Sequence, residues 1–179
     1  MRGIGVIIAS VFCLSPPPAV GGDLPVLGKI VRKDVAIDSL LPADAKIEVL
    51  ASGLDWSEGP AWVKDGGYLI SSDIPRNSIM KFKDSEGMSL FMKPAGYTGI
   101  ASYGGEPGAN GLAIDAQGRL VACEHGDRRL SRLNFDGGKR TLADNYQGQR
   151  FNSPNDLDIK SNGKMYLCRV KTRTKGAGW

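Results

Sequence analysis

Three times in this chain a polar residue stands eight positions before a glycine: Glu58 before Gly66, Asn110 before Gly118 and Asn155 before Gly163. Each glycine leads into an apolar run, Tyr68-Leu-Ile70, Leu120-Val-Ala122 or Met165-Tyr-Leu167. Such a segment reads as a short strand, a tight turn and a second strand, because glycine adopts turn conformations that other residues resist. The copies begin 52 and 45 residues apart, close to the ~40–50 residues of one four-stranded propeller blade. The predicted class is therefore all-β, with the sheet blade as its unit.

Ring closure takes about four to eight blades, and the repeats cover two blades and the start of a third. The expected architecture is an incomplete propeller of about two and a half blades. The extra length of the first interval falls in residues 93–108, a Gly/Pro-rich stretch without periodicity that reads as an enlarged loop. Insertions of this kind often line a binding face. Ahead of the first repeat, residues 26–37 and 46–50 alternate as short strands do.

Residues 1–22 open with one positive charge and an apolar run of about a dozen residues, followed by Ser15-Pro-Pro-Pro and the small residues Ala19 and Gly21. This pattern predicts a secretory signal and a secreted or periplasmic protein, and the run falls short of the ~20 residues of a membrane span. No stable membrane anchor is expected. Residues 23–44 form an N-terminal segment, 45–167 the partial propeller, and 168–179 a basic tail that reads as foreign to the blade. The four cations of that tail account for the whole formal charge of +4. Arg128, Arg129 and Arg132 read as a solvated outer face, so no nucleic-acid partner is implied. Cys123 and Cys168 lie in the same phase of neighbouring repeats. They are expected as two buried small hydrophobes, since a disulfide needs α-carbons within about 7 Å and equivalent strands of adjacent blades splay apart.

A propeller turns repeat phase into spatial convergence, because the innermost strand of every blade starts at one end of the central channel. Glu58, Asn110 and Asn155 are predicted to meet there. One carboxylate and two amide carbonyls are hard oxygen donors of the kind that suit Ca²⁺ or Mg²⁺. The returning strands bring Asp73, Glu124 and His125 to the border of the same opening. His125 is the chain's single histidine and is read as a substrate-facing group rather than a catalyst. Asp73 reads as a turn former before Ile74-Pro75.

Several stretches carry a family resemblance: Glu58-Gly-Pro-Ala-Trp62, Ser72-Asp-Ile-Pro75, Asn110-Gly-Leu-Ala-Ile-Asp115, Gly118-Arg-Leu-Val-Ala-Cys-Glu-His-Gly126 and Asn152-Ser-Pro-Asn-Asp156. In order and spacing they resemble the gluconolactonase branch of the regucalcin/gluconolactonase/luciferin-regenerating-enzyme family, over about residues 45–167. The resemblance implies a six-bladed propeller that hydrolyses sugar lactones or related esters with a divalent cation at the channel mouth. Ca²⁺ comes first, with Zn²⁺ and Mg²⁺ as alternatives. It implies Glu58 and Asn155 as metal ligands, and Asn110 and Arg150 on the substrate side, where His125 is already read. The family's remaining ligands, an asparagine and the aspartate proposed as general base, have no counterpart, so no catalytic residue is assigned. The similarity breaks off inside a strand at Leu167-Cys-Arg-Val, as a truncation or frameshift would produce, and a chain of low activity is expected. The competing reading is a non-catalytic propeller that binds a glycan or a protein partner.

Overall fold

The computed structural model describes residues 24–168 and 171–172. The expected signal over 1–22 and most of the expected tail lie outside the described residues. Four strands run antiparallel in sequence order: β1 (Ser57–Val63), β2 (Tyr68–Asp73), β3 (Ser78–Lys83) and β4 (Gly87–Met92). A second sheet repeats the pattern with β5 (Ala109–Ile114), β6 (Leu120–Glu124), β7 (Arg129–Leu133) and β8 (Lys139–Ala143). After the short strands β9 (Asn145–Tyr146) and β10 (Gln149–Asn152), a third sheet begins with β11 (Asp156–Ile159) and β12 (Met165–Cys168). Within the tail, β13 (Lys171–Thr172) pairs with β10. The fold is two complete propeller blades and the opening of a third.

Period-two alternation along β6 explains how the blades hold together, since successive side chains point to opposite faces. Leu120 and Ala122 join Ala61, Ile70, Ile79 and Leu112 in the core between the first two blades. Val121 and Cys123 point the other way and pack with Leu130 and Leu157 against the third. Every residue of β6 is accordingly buried, as a central blade sandwiched on both faces requires.

The hairpin glycines work as the repeat predicts in the second and third copies. Gly118 and Gly163 have φ of 82° and 81°, and their N–H groups donate to Asp115 and Lys160 carbonyls at 2.8 Å. In the first copy the left-handed residue is Gly67 instead, because a 3-10 turn over Lys64–Gly66 lengthens the connection by one residue.

Other details depart from expectation. Residues Val35–Ser39 form a 3-10 turn rather than strand, capped by Asp34 Oδ1 accepting the Ala36 N–H at 2.8 Å. The strand signals on either side reduce to one antiparallel bridge, Val26 to Glu48. Both described cysteines are free; Cys123 is buried but Cys168 is exposed, so only one behaves as a small hydrophobe. Arg129 is not a solvated surface residue, because its guanidinium pairs with Glu124 at 2.6 Å. Among the described residues no helix is long and apolar enough to cross a membrane.

Candidate functional site at the channel end

Strands β1, β5 and β11 lie side by side with Glu58, Asn110 and Asn155 at their leading ends. A one-residue register shift falls between Glu58 and Ala61 on β1 and again between Ala109 and Leu112 on β5. Bulges of this type re-aim side chains and are common beside functional sites. The glycine after Glu58 and after Asn110 lets the next strand approach. A β-carbon at Gly59 would meet the Asn110 carbonyl oxygen at 2.3 Å, and one at Gly111 would meet Asp156 Oδ1 at 2.5 Å and the Asn155 carbonyl at 2.9 Å. The Gly111 N–H donates to the Asn155 carbonyl at 2.8 Å. Sequence phase thus becomes contact between neighbouring blades.

The result is a cavity of about 300 Å³ lined by Glu58, Asn110, Asn155 and Asp156 among others. Glu58 is oriented by the Trp56 indole, whose Nε1–H donates to Oε1 at 3.2 Å. Trp56 is itself anchored: its backbone N–H and that of Asp55 both donate to Asp73 Oδ1 at 3.2 Å. Asn110 Nδ2 lies 3.3 Å from His125 Nε2. Among the described residues, Glu58 Oε2, Asn110 Oδ1 and Asn155 Oδ1 have no hydrogen-bond partner. One carboxylate and amide oxygens match the donors a hard divalent cation takes, and they supply part of the 6–8 oxygens that Ca²⁺ takes. Among the described residues no group of three or more His, Cys, Asp or Glu side chains could hold a metal ion; what the cavity offers is carboxylate and amide oxygens.

The two returning-strand carboxylates do not face the opening. Asp73 and Glu124 end β2 and β6 at equivalent positions, and both are fully buried. Glu124 accepts from Arg129 Nε and Ser131 Oγ at 2.6 Å each and also pairs with Lys139. Arg76 Nε stands 3.6 Å from Asp73 Oδ2. These groups brace the end of each blade. His125 follows Glu124, is 4% exposed, and touches the site through Asn110. Burial lowers its pKa, against a smaller opposing pull from Glu106. Arg150 is outside the cavity lining; it is exposed, and its Nη2 donates to the Asp127 carbonyl at 3.0 Å.

The 93–108 insertion packs onto the same end of the molecule. Asn77 Oδ1 accepts from the Ala95, Gly96 and Tyr97 N–H groups. A second cavity of about 720 Å³ opens between Tyr97, Ser102, Tyr103 and Gly104 of the loop and Gly126 and Arg128 of the β6–β7 turn. Sequence reasoning passed over two residues near the site. Asp156 lines the cavity at the position where the first two copies carry glycine, which is the signal that could have found it. Glu106 sits in the aperiodic loop, and nothing in its neighbours announces its contact with His125.

The profile of the SMP-30/gluconolactonase/LRE-like region matches residues 56–178. The chain belongs to that family. The matched span runs past the point where the motif resemblance fades, into the expected tail. A gluconolactonase of Zymomonas mobilis subsp. mobilis is 38% identical over 144 residues, 79% of this chain and 40% of the relative. A gluconolactonase from Xanthomonas campestris superposes with a TM-score of 0.64 at 30% identity, covering 82% of this chain and 44% of that one. A putative gluconolactonase of solved structure gives 0.61 at 32% identity, covering 73% and 42%. The chain spans less than half the length of these family members.

Proposed function

We propose that this end of the chain forms part of the cation and substrate site of a divalent-metal-dependent hydrolase of sugar lactones or related esters. The observation that carries the reading is the meeting of Glu58, Asn110 and Asn155 in one cavity of a gluconolactonase-family chain. A bound divalent cation, Ca²⁺ foremost, supplies Lewis-acid polarisation of the lactone carbonyl. Glu58 supplies the charged ligand, with its carboxylate held by Trp56, and Asn155 supplies a neutral oxygen. Asn110, backed by His125, presents an amide to the hydroxyl groups of the sugar ring. The expected signal over 1–22 would send this activity out of the cytoplasm.

The remaining carboxylates leave the water-activating role unassigned. Asp73 and Glu124 are buried in ion pairs, and Asp156 Oδ1 accepts the Leu157 N–H at 2.8 Å. The described residues alone are therefore expected to bind better than they turn over. Terbium, a luminescent substitute for Ca²⁺, tests the cation directly, because Trp56 touches the proposed ligand and would sensitise its emission. Emission that Ca²⁺ displaces and Glu58→Gln removes is expected. Emission unchanged in that variant would sink the site, and gluconolactone hydrolysis that survives both chelation and Glu58→Gln would sink the metal mechanism.

A further inference from the structure

The insertion reaches the site through one carboxylate. The His125 N–H donates to the Gly108 carbonyl at 3.1 Å and the Gly126 N–H to the Pro107 carbonyl at 3.3 Å, so residues 106–108 are clamped along 125–126. The clamp is tight: a β-carbon at Gly126 would stand 2.8 Å from the Pro107 oxygen. Held there, Glu106 places Oε2 3.3 Å from His125 Nδ1. No described atom gives Nδ1 a better partner, and the contact falls short of full hydrogen-bond geometry. The opposite ring nitrogen, Nε2, faces the Asn110 amide nitrogen at 3.3 Å.

A neutral imidazole carries its proton on one nitrogen and accepts through the other. With the proton on Nε2, the Nδ1 lone pair would face a carboxylate, and Nε2–H would oppose the Asn110 NH₂. Both contacts repel, and in a site with His125 4% exposed such repulsions are poorly screened. With the proton on Nδ1, the N–H lies beside the carboxylate charge at 3.3 Å, short of hydrogen-bond alignment, Nε2 accepts from the Asn110 NH₂, and both contacts attract. The amide oxygen is then turned away from the ring and has no partner among the described residues, while Asn110 lines the cavity.

We propose that Glu106 is a positioning residue: its charge selects the Nδ1–H tautomer of His125, and that tautomer locks the Asn110 amide with its oxygen free for a hydroxyl donor of a polyhydroxylated ligand. The ligand half of this inference rests on the proposed lactone reading; the relay from Glu106 to Asn110 does not. The insertion thereby tunes the hydrogen-bonding polarity of a residue it does not touch.

The chain has one histidine, so a long-range ¹H–¹⁵N correlation spectrum of the ring reads its tautomer without assignment. At pH 8 the protein is expected to show the Nδ1–H pattern, the reverse of free histidine. Glu106→Ala should shift it toward Nε2–H, and Glu106→Gln, which keeps an acceptor oxygen without the charge, should fall between. Glu106 is 45% exposed, so its substitution leaves the core intact, which a dispersed amide spectrum verifies. An Nε2–H pattern in the unaltered protein, or an Nδ1–H pattern that survives Glu106→Ala, overturns the relay. Gluconolactone is the ligand probe: Glu106→Ala should raise its Kd, measured by titration calorimetry, about fivefold, the equivalent of one misdirected hydrogen bond. A tautomer shift with unchanged Kd would uphold the relay and remove Asn110 from substrate binding.

Discussion

The backbone of Gly59 lies so close to the Asn110 carbonyl that a β-carbon would come within 2.3 Å of its oxygen. That contact joins the first two blades at the proposed site, and Gly59 also has a φ of 54°, where L-residues are strained. Gly59→Ala should therefore cost about 3 kcal/mol, the sum of a left-handed penalty and an overpacking term. Gly137, with φ of 82° and open space around its α-carbon, isolates the first component, so Gly137→Ala should cost only about 1 kcal/mol. Urea unfolding of the two variants measures the difference. Equal losses would mean that the blades can separate locally without strain.

Glu124 holds the second blade closed at the same end. Its fully buried carboxylate meets Arg129, Ser131 and Lys139, and Lys139 also donates to the Ala95 carbonyl at 3.0 Å, tying the network to the insertion. Removing one member of a buried pair strands its partners, which typically costs about 3–5 kcal/mol. Glu124→Ala is expected to lose that much stability in thermal or urea unfolding while leaving terbium emission at Glu58 unchanged. Loss of emission at temperatures where the variant remains folded would assign Glu124 to the cation site instead.

The sequence made the blades legible because two periodicities coincide. The repeat spacing marks where each inner strand begins, and alternation along Leu120 to Cys123 separates the faces that meet the first and third blades. Convergence of Glu58, Asn110 and Asn155 followed from phase alone. Partnership did not. Glu124 reads as a channel residue until the β6–β7 register sets Arg129 opposite it, and Arg150, read on the substrate side, stands outside the cavity lining with its guanidinium on the Asp127 carbonyl. Glu106 carries no local signal, since its placement depends on backbone bonds across a loop of irregular path. The alternation over 35–37 was overridden by Asp34, whose side chain captures the Ala36 N–H and begins a 3-10 turn. Local hydrogen bonding of this kind competes with strand formation at any Asp or Asn.

The cysteines should differ sharply in reactivity. Burial pushes the Cys123 thiol up to about 12, so almost no thiolate exists near neutral pH, while Cys168 is exposed on the last strand of the third sheet. With the third cysteine, Cys13 of the expected signal segment, removed as Cys13→Ser, brief iodoacetamide treatment of the native protein, read by peptide mass mapping, should modify Cys168 and leave Cys123 free. Both should react after unfolding in urea. Native modification of Cys123 at a similar rate would show that the contact between the second and third blades opens readily.

Acidification should weaken the fold through His125. Burial holds its pKa below the ordinary value of 6.5, the nearby Glu106 opposing that shift without reversing it. The unfolded chain therefore binds a proton at a higher pH than the folded one, and stability must rise with pH across the interval between the two values. The contribution is fully present above 6.5 and is lost as pH falls from there through the folded value. Protonation also converts Nε2 into a donor facing the Asn110 amide nitrogen, which removes the acceptor that holds that amide. Urea midpoints measured from pH 8 down to pH 5 should fall for the unaltered protein and fall less for His125→Gln, which cannot titrate. Identical slopes in the two proteins would place the acid sensitivity in the carboxylates and leave the His125 ring without a part in it.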